Sequence, residues 1–165
     1  MRKHDNLNGS LMGDISGTSD KVFEIYRRYA ENDLFPWDES GGSLADGGSL
    51  ADLIKLKSKS AYGKETAGSK NAGRSGTIQV GNMTEVAFWP MAGERDPALG
   101  YLQSLYDGDN VSLVVADSTP NGPAGWFYRT WVQDNEWAKI FAAWFEFDDS
   151  VIPFKSEDEL QNFKD

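Results

Sequence analysis

Apolar residues that recur every three to four positions predict a helix near the start of the chain. Residues 20–32 read DKVFEIYRRYAEN, and most of their apolar side chains share one face at helical spacing. These side chains are Val22, Ile25, Tyr26 and Tyr29. Phe23, Ile25 and Tyr29 also fit the alternation of a strand, which remains the alternative. We favour a helix that ends before Pro36.

Local capping signals predict a second helix in DPALGYLQSLYDG, residues 96–108. Asp96 is a residue type that caps free backbone N–H groups, and Pro97 suits the first helical position. Gly108 suits a left-handed helix stop. The apolar stripe consists of Leu99, Leu102, Leu105 and Tyr106. We therefore expect a short amphipathic helix of about three turns.

Alternating and β-branched residues predict strands in three places. Residues 76–90, GTIQVGNMTEVAFWP, carry apolar side chains at even positions, which predicts one strand or two strands joined near Gly81. Residues 110–117, NVSLVVAD, predict another, and a strand is also expected in LNGSLMGDIS, residues 7–16.

Two aromatic segments predict an antiparallel pair of strands. They are residues 125–134, GWFYRTWVQD, and residues 137–147, WAKIFAAWFEF, with a loop at Asp134–Asn135. The second segment is apolar on both faces, which is typical of a strand that is buried on both sides or meets another chain.

A long segment with few large apolar residues separates the first helix from the strands at residues 76–90. Residues 37–76 are rich in Gly, Ser, Ala and Lys, and GGSLAD occurs twice in succession at residues 41–52. Loops of this length inside a domain are usually functional or disordered, so we predict a long extended arm. Residues 49–59 within it fit a turn of helix or an edge strand with lysines pointing outward.

The order of elements predicts a single domain, residues 1–165, of the α+β class with β-rich character. We expect an antiparallel β-barrel or sandwich with one flanking helix and the extended arm. Ser156 and Glu159 have the spacing of a capping box, which predicts a short C-terminal helix.

Composition narrows the chemistry that the chain can carry. There is no cysteine, and the one histidine, His4, lies near a terminus expected to fray, which argues against thiolate, zinc and Ser-His-Asp chemistry. Neither a secretory signal nor a membrane span is expected, because the apolar runs are too short. Gly108 and its acidic neighbours lack the closing Glu of a calcium loop, and no glycine pattern typical of nucleotide sites occurs.

Paired carboxylates are the remaining candidates for catalysis. A glycosidase needs two carboxyl groups about 5 to 10 Å apart, but 26 acidic residues bring pairs together by chance. We therefore predict no enzyme activity, no cofactor and no metal. The acidic candidates are Glu85, Glu94, Asp96, Asp134, Glu136, Glu146, Asp148 and Asp149.

The charge distribution favours contact between copies of the chain. The net charge is −10, yet residues 53–79 hold six basic residues and one acidic residue. An acidic surface repels phosphates, so sequence-specific nucleic-acid binding is not expected. The basic arm is predicted to contact an acidic neighbour, with a solvated loop as the alternative. Its contact residues are Leu44, Leu50, Leu53, Ile54, Lys55, Lys57, Lys59, Lys64, Lys70 and Arg74.

The order of strand pair, flanking helix and aromatic strands resembles the tail tube proteins of long-tailed bacteriophages. The local likeness lies in DPALGYLQSLYDGDNVSLVVAD, where a helix ends in an aromatic and Gly turn that leads into a strand. The resemblance implies a structural virion protein, assembled in the host cytoplasm, whose barrel-like subunits form hexameric rings that stack into a tube around a DNA passage. It also implies contacts with other virion proteins, and head-tail joining or decoration subunits remain open.

Two other functions fit the composition. Exposed tryptophans on strands are typical of carbohydrate-binding modules. An acidic surface is typical of inhibitors that mimic DNA, although the basic arm argues against this class.

Overall fold

The computed structural model describes residues 6–32, 44–69, 77–90, 96–105, 112–147, 156 and 161. The chain divides into two compact units, Met1–Gln133 and Asp134–Asp165. The described residues of the first unit form a six-stranded sheet and three α-helices. The strands are Asn8–Gly13 (β1), Leu44–Ser49 (β2), Leu53–Leu56 (β3), Ala61–Thr66 (β4), Val80–Thr84 (β5) and Leu113–Asp117 (β6); the helices are Ser16–Glu31 (α1), Pro97–Leu102 (α2) and Gly125–Val132 (α3).

The sheet is open and mixed, with the strand order β2-β3-β4-β1-β5-β6. β4, β1, β5 and β6 are parallel, whereas β2, β3 and β4 form an antiparallel meander. The α+β class is confirmed, but the strands on either side of β1 are not antiparallel as predicted. The reason is topological: α1 carries the chain away from β1, so strands that are distant in sequence become its neighbours.

The predicted arm is part of this sheet. Residues 44–66 form β2, β3 and β4, so the prediction of an extended arm is wrong for this stretch. The second GGSLAD copy, residues 47–52, supplies a glycine that β2 needs. The register between β2 and β3 shifts between Leu44 and Ser49. In this interval a Cβ on Gly48 would lie only 2.5 Å from the Lys55 carbonyl oxygen. Glycine lets the two backbones approach there.

The sequence patterns that act over a few neighbouring residues predicted α1, β6 and the start of α2 correctly. α1 is the periodic helix, and β6 is the β-branched strand. α2 begins as predicted, because the Asp96 carboxylate accepts a hydrogen bond of 3.0 Å from the Ala98 N–H. The predicted length of about three turns is wrong, because α2 ends at Leu102. Leu105 lies beyond this end, where it pairs with Ile78 in an isolated bridge.

The predicted aromatic strand pair is wrong. Residues 125–132 form the helix α3, with Trp126 and Phe127 packed against a hydrophobic cluster. Its predicted partner contains no strand among residues 137–147, where the structure has a 3₁₀ turn, Trp144–Glu146. The predicted C-terminal helix, apart from residues 156 and 161, lies outside the described residues.

A separate core covers each face of the sheet. On one face, α1 packs Phe23 against Leu11, Ile54 and Leu56. On the other, Tyr101 of α2 packs among residues from β1, β5 and the following turn, and its hydroxyl donates a 2.7 Å hydrogen bond to the Ser10 carbonyl. These buried neighbours are Met12, Met83, Val86 and Trp89.

Candidate functional site

Acidic residues stand where three neighbouring parallel strands end. Asp14 follows β1, Glu85 follows β5, and Asp117 is the last residue of β6. Met12 pairs with Met83 in the sheet, and Thr84 pairs with Asp117. Continuing the first register by two residues places Asp14 opposite Glu85. Because parallel strands end at the same edge, the three carboxylates share one rim, which we call the carboxyl edge.

The chain changes direction at this edge between β1 and β5. From β1 it leaves through α1 toward β2 at one side of the sheet, and from β5 it leaves through α2 toward β6 at the other. In open parallel sheets, ligands bind in the crevice at such a switch point, outside the carboxyl ends of the strands. The crevice between Asp14 and Glu85 is therefore the candidate site.

The β1–α1 turn presents the start of a helix to this edge. The N-cap residue, Ile15, supplies no side-chain hydrogen bond to the first turn of α1. The turn is tight: a Cβ on Gly13 would lie 2.6 Å from the Ser19 hydroxyl, which lies 3.0 Å from the Glu65 carbonyl oxygen. Within the described part of the chain, the buried Oδ1 of Asp14 makes no hydrogen bond. An anion-attracting helix terminus thus lies beside an unsatisfied carboxylate oxygen.

Glu85 has a strained backbone. Its φ of 54° and ψ of 38° lie in the left-handed region, where a non-glycine residue costs about 1–2 kcal/mol. The residue opens a 3₁₀ turn, Val86–Phe88, in which the Phe88 N–H bonds the Glu85 carbonyl at 2.9 Å. The Trp89 indole N–H bonds the Thr84 carbonyl at 2.9 Å. The conformation of Glu85 is therefore held from both sides of the residue.

The loop after β6 ties this turn to the neighbouring strand. The Thr84 hydroxyl donates to the Asp117 carboxylate at 3.0 Å, and the Ser118 hydroxyl accepts from the Ala87 N–H at 3.1 Å. The Asn121 amide donates to the Ala87 carbonyl at 3.1 Å. The Asp117 carboxylate is therefore engaged with Thr84, whereas Asp14 and Glu85 follow the two strands that border the crevice.

The carboxyl edge does not provide a complete metal site. No group of three or more Asp, Glu, His or Cys side chains that could hold a metal ion occurs among the residues described. Mg²⁺ is commonly held by one or two carboxylates together with the phosphates of a ligand. Within the part of the chain that the structure describes, the edge can therefore supply one or two carboxylates, and the remaining oxygens would come from a ligand or from water.

The predicted contact residues of the arm lie mostly on β2, β3 and β4. Ile54 is buried, Leu44 and Leu53 are half-buried, and Leu50 is exposed. Lys64 contacts Asp20 and Asp52 of its own chain, the latter at 2.7 Å. Burial lowers the pKa of Lys64, but these two hydrogen bonds outweigh it and raise the pKa above its ordinary value. Lys55, Lys57 and Lys59 are exposed, and Lys70 and Arg74 lie outside the described residues.

The described residues of the second predicted helix have roles in capping and packing α2. Asp96 caps α2 and lies 3.4 Å from the Arg129 guanidinium. Leu102 and Leu105 pack against the core around Tyr101, Leu99 is exposed, and Pro97 is the first residue of the helix. Tyr106 and Gly108 lie outside the described residues.

The sequence analysis named Glu85 as an acidic candidate but missed Asp14 and Asp117. The available signal was a repeated strand ending: LMGD, NMTE and VVAD each close with an acidic residue. An antiparallel arrangement would scatter these residues over two edges, whereas the parallel arrangement brings them to one.

No protein-family model matches the chain, and no curated protein matches it significantly in sequence. Among the described residues, the helices are all too short or too polar to cross a membrane.

Proposed function

We propose that the crevice between β1 and β5 binds a nucleotide, or a related phosphate ester, as its complex with Mg²⁺. The observation that carries the proposal is the buried, unpartnered oxygen of Asp14 beside the uncapped start of α1, opposite the strained Glu85. The proposal concerns binding. The expectation that the chain is not an enzyme stays a prediction.

The crevice places groups that attract an anion beside groups that attract a cation, and this supports a ligand that carries both. The free N–H groups at the start of α1 favour an anion, whereas the carboxylates of Asp14 and Glu85 repel one. A phosphate bound to a divalent cation satisfies both, because the cation meets the carboxylates and the phosphate meets the helix. Asp14 and Glu85 would hold the cation directly or through water, and Asp117 would position Thr84 beneath them.

Isothermal titration calorimetry with MgATP tests this proposal. We expect saturable binding that requires Mg²⁺, and at least a tenfold increase in Kd for Asp14→Asn and for Glu85→Gln. The matched control is Asp46→Asn, which removes an exposed carboxylate of β2 and should leave Kd unchanged. Magnesium tripolyphosphate in place of MgATP separates phosphate recognition from base recognition. Equal Kd values for all three variants, or no binding of either ligand, would contradict the proposal.

The self-assembling tail tube subunit is the second candidate function. The exposed Lys55, Lys57 and Lys59 support it, because no ion pair of theirs occurs among the described residues and the chain as a whole is acidic. A barrel-like ring would require the edge strands β2 and β6 to pair with other copies. Size-exclusion chromatography with light scattering tests this: a ring that dissociates when the three lysines become Ser supports it, and a monomer at high concentration argues against it.

A further inference from the structure

The dipeptide Asn-Gly occurs twice in the chain, as Asn8–Gly9 and as Asn121–Gly122. Asparagine is chemically labile, and it is most labile before glycine, because glycine has no side chain to hinder attack by its own backbone nitrogen on the asparagine side chain. Both copies have the same local sequence at the reacting atoms. Their surroundings in the fold therefore decide which of them reacts.

The first copy is held in the central strand of the sheet. Gly9 is buried and pairs with Tyr62 of β4 on one side and with Val80 of β5 on the other. The Asn8 carbonyl accepts a 2.8 Å hydrogen bond from the Gln79 N–H. Attack by the Gly9 nitrogen requires the peptide between the two residues to rotate out of its strand conformation, which breaks these pairings. Core strands open only at a large cost in free energy, so Asn8 is protected.

The second copy lies between β6 and α3, outside any helix or strand. Gly122 has a φ of 75°, which glycine adopts without strain. Within the described part of the chain, the Gly122 N–H donates no hydrogen bond. The side chain of Asn121 is exposed, and it is held by one hydrogen bond of 3.1 Å to the Ala87 carbonyl. The peptide between Asn121 and Gly122 can therefore rotate without breaking a backbone pairing.

We propose that Asn121 is a site of spontaneous deamidation, and that the modification releases the loop after β6 from the turn Val86–Phe88. The proposal does not rest on nucleotide binding.

The reaction needs only water as a co-reactant. The Gly122 nitrogen attacks Cγ of Asn121 and forms the new C–N bond of a cyclic imide. The bond from Cγ to Nδ2 breaks, and the amide nitrogen leaves as ammonia with the proton that the Gly122 nitrogen gives up. Water then opens the imide at one of its two carbonyl groups, which yields aspartate or isoaspartate. No group is oxidised or reduced.

The product cannot keep the contact that ties the loop to the turn. The Asn121 amide donates to the Ala87 carbonyl, whereas a carboxylate has no proton to donate and repels that oxygen. Isoaspartate also adds a methylene group to the backbone of the loop. The hydrogen bond between the Ala87 N–H and the Ser118 hydroxyl, at 3.1 Å, then remains as a tie between loop and turn. Modification of Asn121 should therefore loosen the turn that begins at Glu85.

Peptide mapping by mass spectrometry tests the chemistry on the full chain incubated in neutral buffer. Replacement of ammonia by water raises the mass of the modified peptide by about 1 Da, and an isoaspartate-specific methyltransferase detects the second product. We expect Asn121 to convert at least tenfold faster than Asn8, which is the matched control within the same molecule. In urea the difference should disappear. An unmodified Asn121 in the folded chain, or equal rates at both asparagines there, overturns the proposal.

Amide hydrogen exchange tests the release of the turn. Asn121→Asp reproduces one product, and we expect the N–H groups of Ala87 and Phe88 to exchange at least fivefold faster than in the parent chain. These groups bond the Ser118 hydroxyl and the Glu85 carbonyl. Asn6→Asp makes the same change at another exposed asparagine and should leave both rates unchanged. Unchanged rates in Asn121→Asp, or equal acceleration in Asn6→Asp, overturn the proposed release.

Discussion

β1 and β5 each pass through two regions with opposite character. Midway along the strands, Tyr101 is fully buried, its hydroxyl is paired, and Gly81 leaves the space that its ring occupies. A few residues further, at the carboxyl edge, Asp14 keeps an unpaired oxygen and Glu85 adopts a left-handed backbone. The same two strands thus hold a tightly packed ring on one face and a strained backbone at their ends; the unpaired oxygen is not confined to the edge, because the buried Oδ1 of Asn82, midway along β5, also makes no hydrogen bond within the described residues.

If the carboxyl edge binds the proposed ligand, this difference separates the residues that stabilise the sheet from those that bind. Strain and unsatisfied polar groups persist in proteins mainly where the surrounding structure holds them for a function. Here the core around Tyr101 supplies that support, because it fixes the strands from which Asp14 and Glu85 project. Variants should therefore lower stability in the core and leave it unchanged or raise it at the edge.

Tyr101→Ala should have the largest effect. It removes a fully buried ring and the hydrogen bond to Ser10, and large aromatic truncations cost about 3–5 kcal/mol. Urea denaturation measures the free energy of unfolding. A loss below about 1 kcal/mol would mean that this core does not support the sheet.

Gly81→Ala should be next. Its Cβ would lie 3.0 Å from the Tyr101 ring, and overpacking of this kind costs about 1–3 kcal/mol. Gly100→Ala in α2 is the control, since nothing lies within 4 Å of its Cβ and alanine favours helix by about 0.5–1 kcal/mol. The urea midpoint should therefore fall in Gly81→Ala and rise in Gly100→Ala. A shift in the same direction in both variants would argue against the close contact at Gly81.

Alkaline pH should weaken the core by a smaller, graded amount. Burial raises the pKa of Tyr101 and of Tyr62 well above their usual value of about 10. The unfolded chain loses these protons as the pH rises above about 10 while the folded chain keeps them, so stability is complete below that pH and falls above it. The raised pKa of Lys64 acts in the same direction.

Tyr101→Phe separates these contributions. At pH 7 the lost hydrogen bond should cost about 1 kcal/mol, and between pH 10 and pH 11 stability should fall less steeply than in the parent chain. The measurement is the urea midpoint at each pH. An unchanged slope would show that Tyr101 ionises equally in the folded and unfolded states.

Glu85→Gly should have the smallest effect and the opposite sign. Glycine adopts the left-handed region without strain, which offsets its greater entropy loss, so a gain of up to about 1 kcal/mol is expected. Glu85→Ala is the control, because alanine keeps the strained backbone and should show no such gain. A loss in Glu85→Gly would show that the Glu85 side chain stabilises the fold.

The elements that the sequence predicted correctly have local causes. The Asp96 cap acts within two residues, and the stripe of α1 repeats within one turn, so neither depends on distant parts of the chain. α3 was mistaken for a strand because Trp126, Phe127 and Val132 belong to residue types that favour strands. The packing of Trp126 and Phe127 against distant residues favours the helix.

The candidate site was less predictable because it depends on strand order. Glu85 was recognised as one acidic residue among many, and nothing near it in sequence indicates that Asp14 lies opposite. That pairing arises only when β1 inserts between β4 and β5, a long-range event that periodicity does not encode. The backbone conformation of Glu85 likewise depends on hydrogen bonds that its neighbours make, Ala87 with Ser118 and Thr84 with Trp89.

The central position of β1 also has a consequence during synthesis. Asn8 hydrogen-bonds Gln79, 71 residues further along the chain, through both its N–H and its carbonyl. At about 5–20 residues per second, a ribosome needs on the order of ten seconds to make that partner. β4, the other neighbour of β1, is made earlier, but until β5 follows, Leu11 and Met12 lack the strand on their second side, so newly made chains should be early clients of chaperones that bind extended apolar segments.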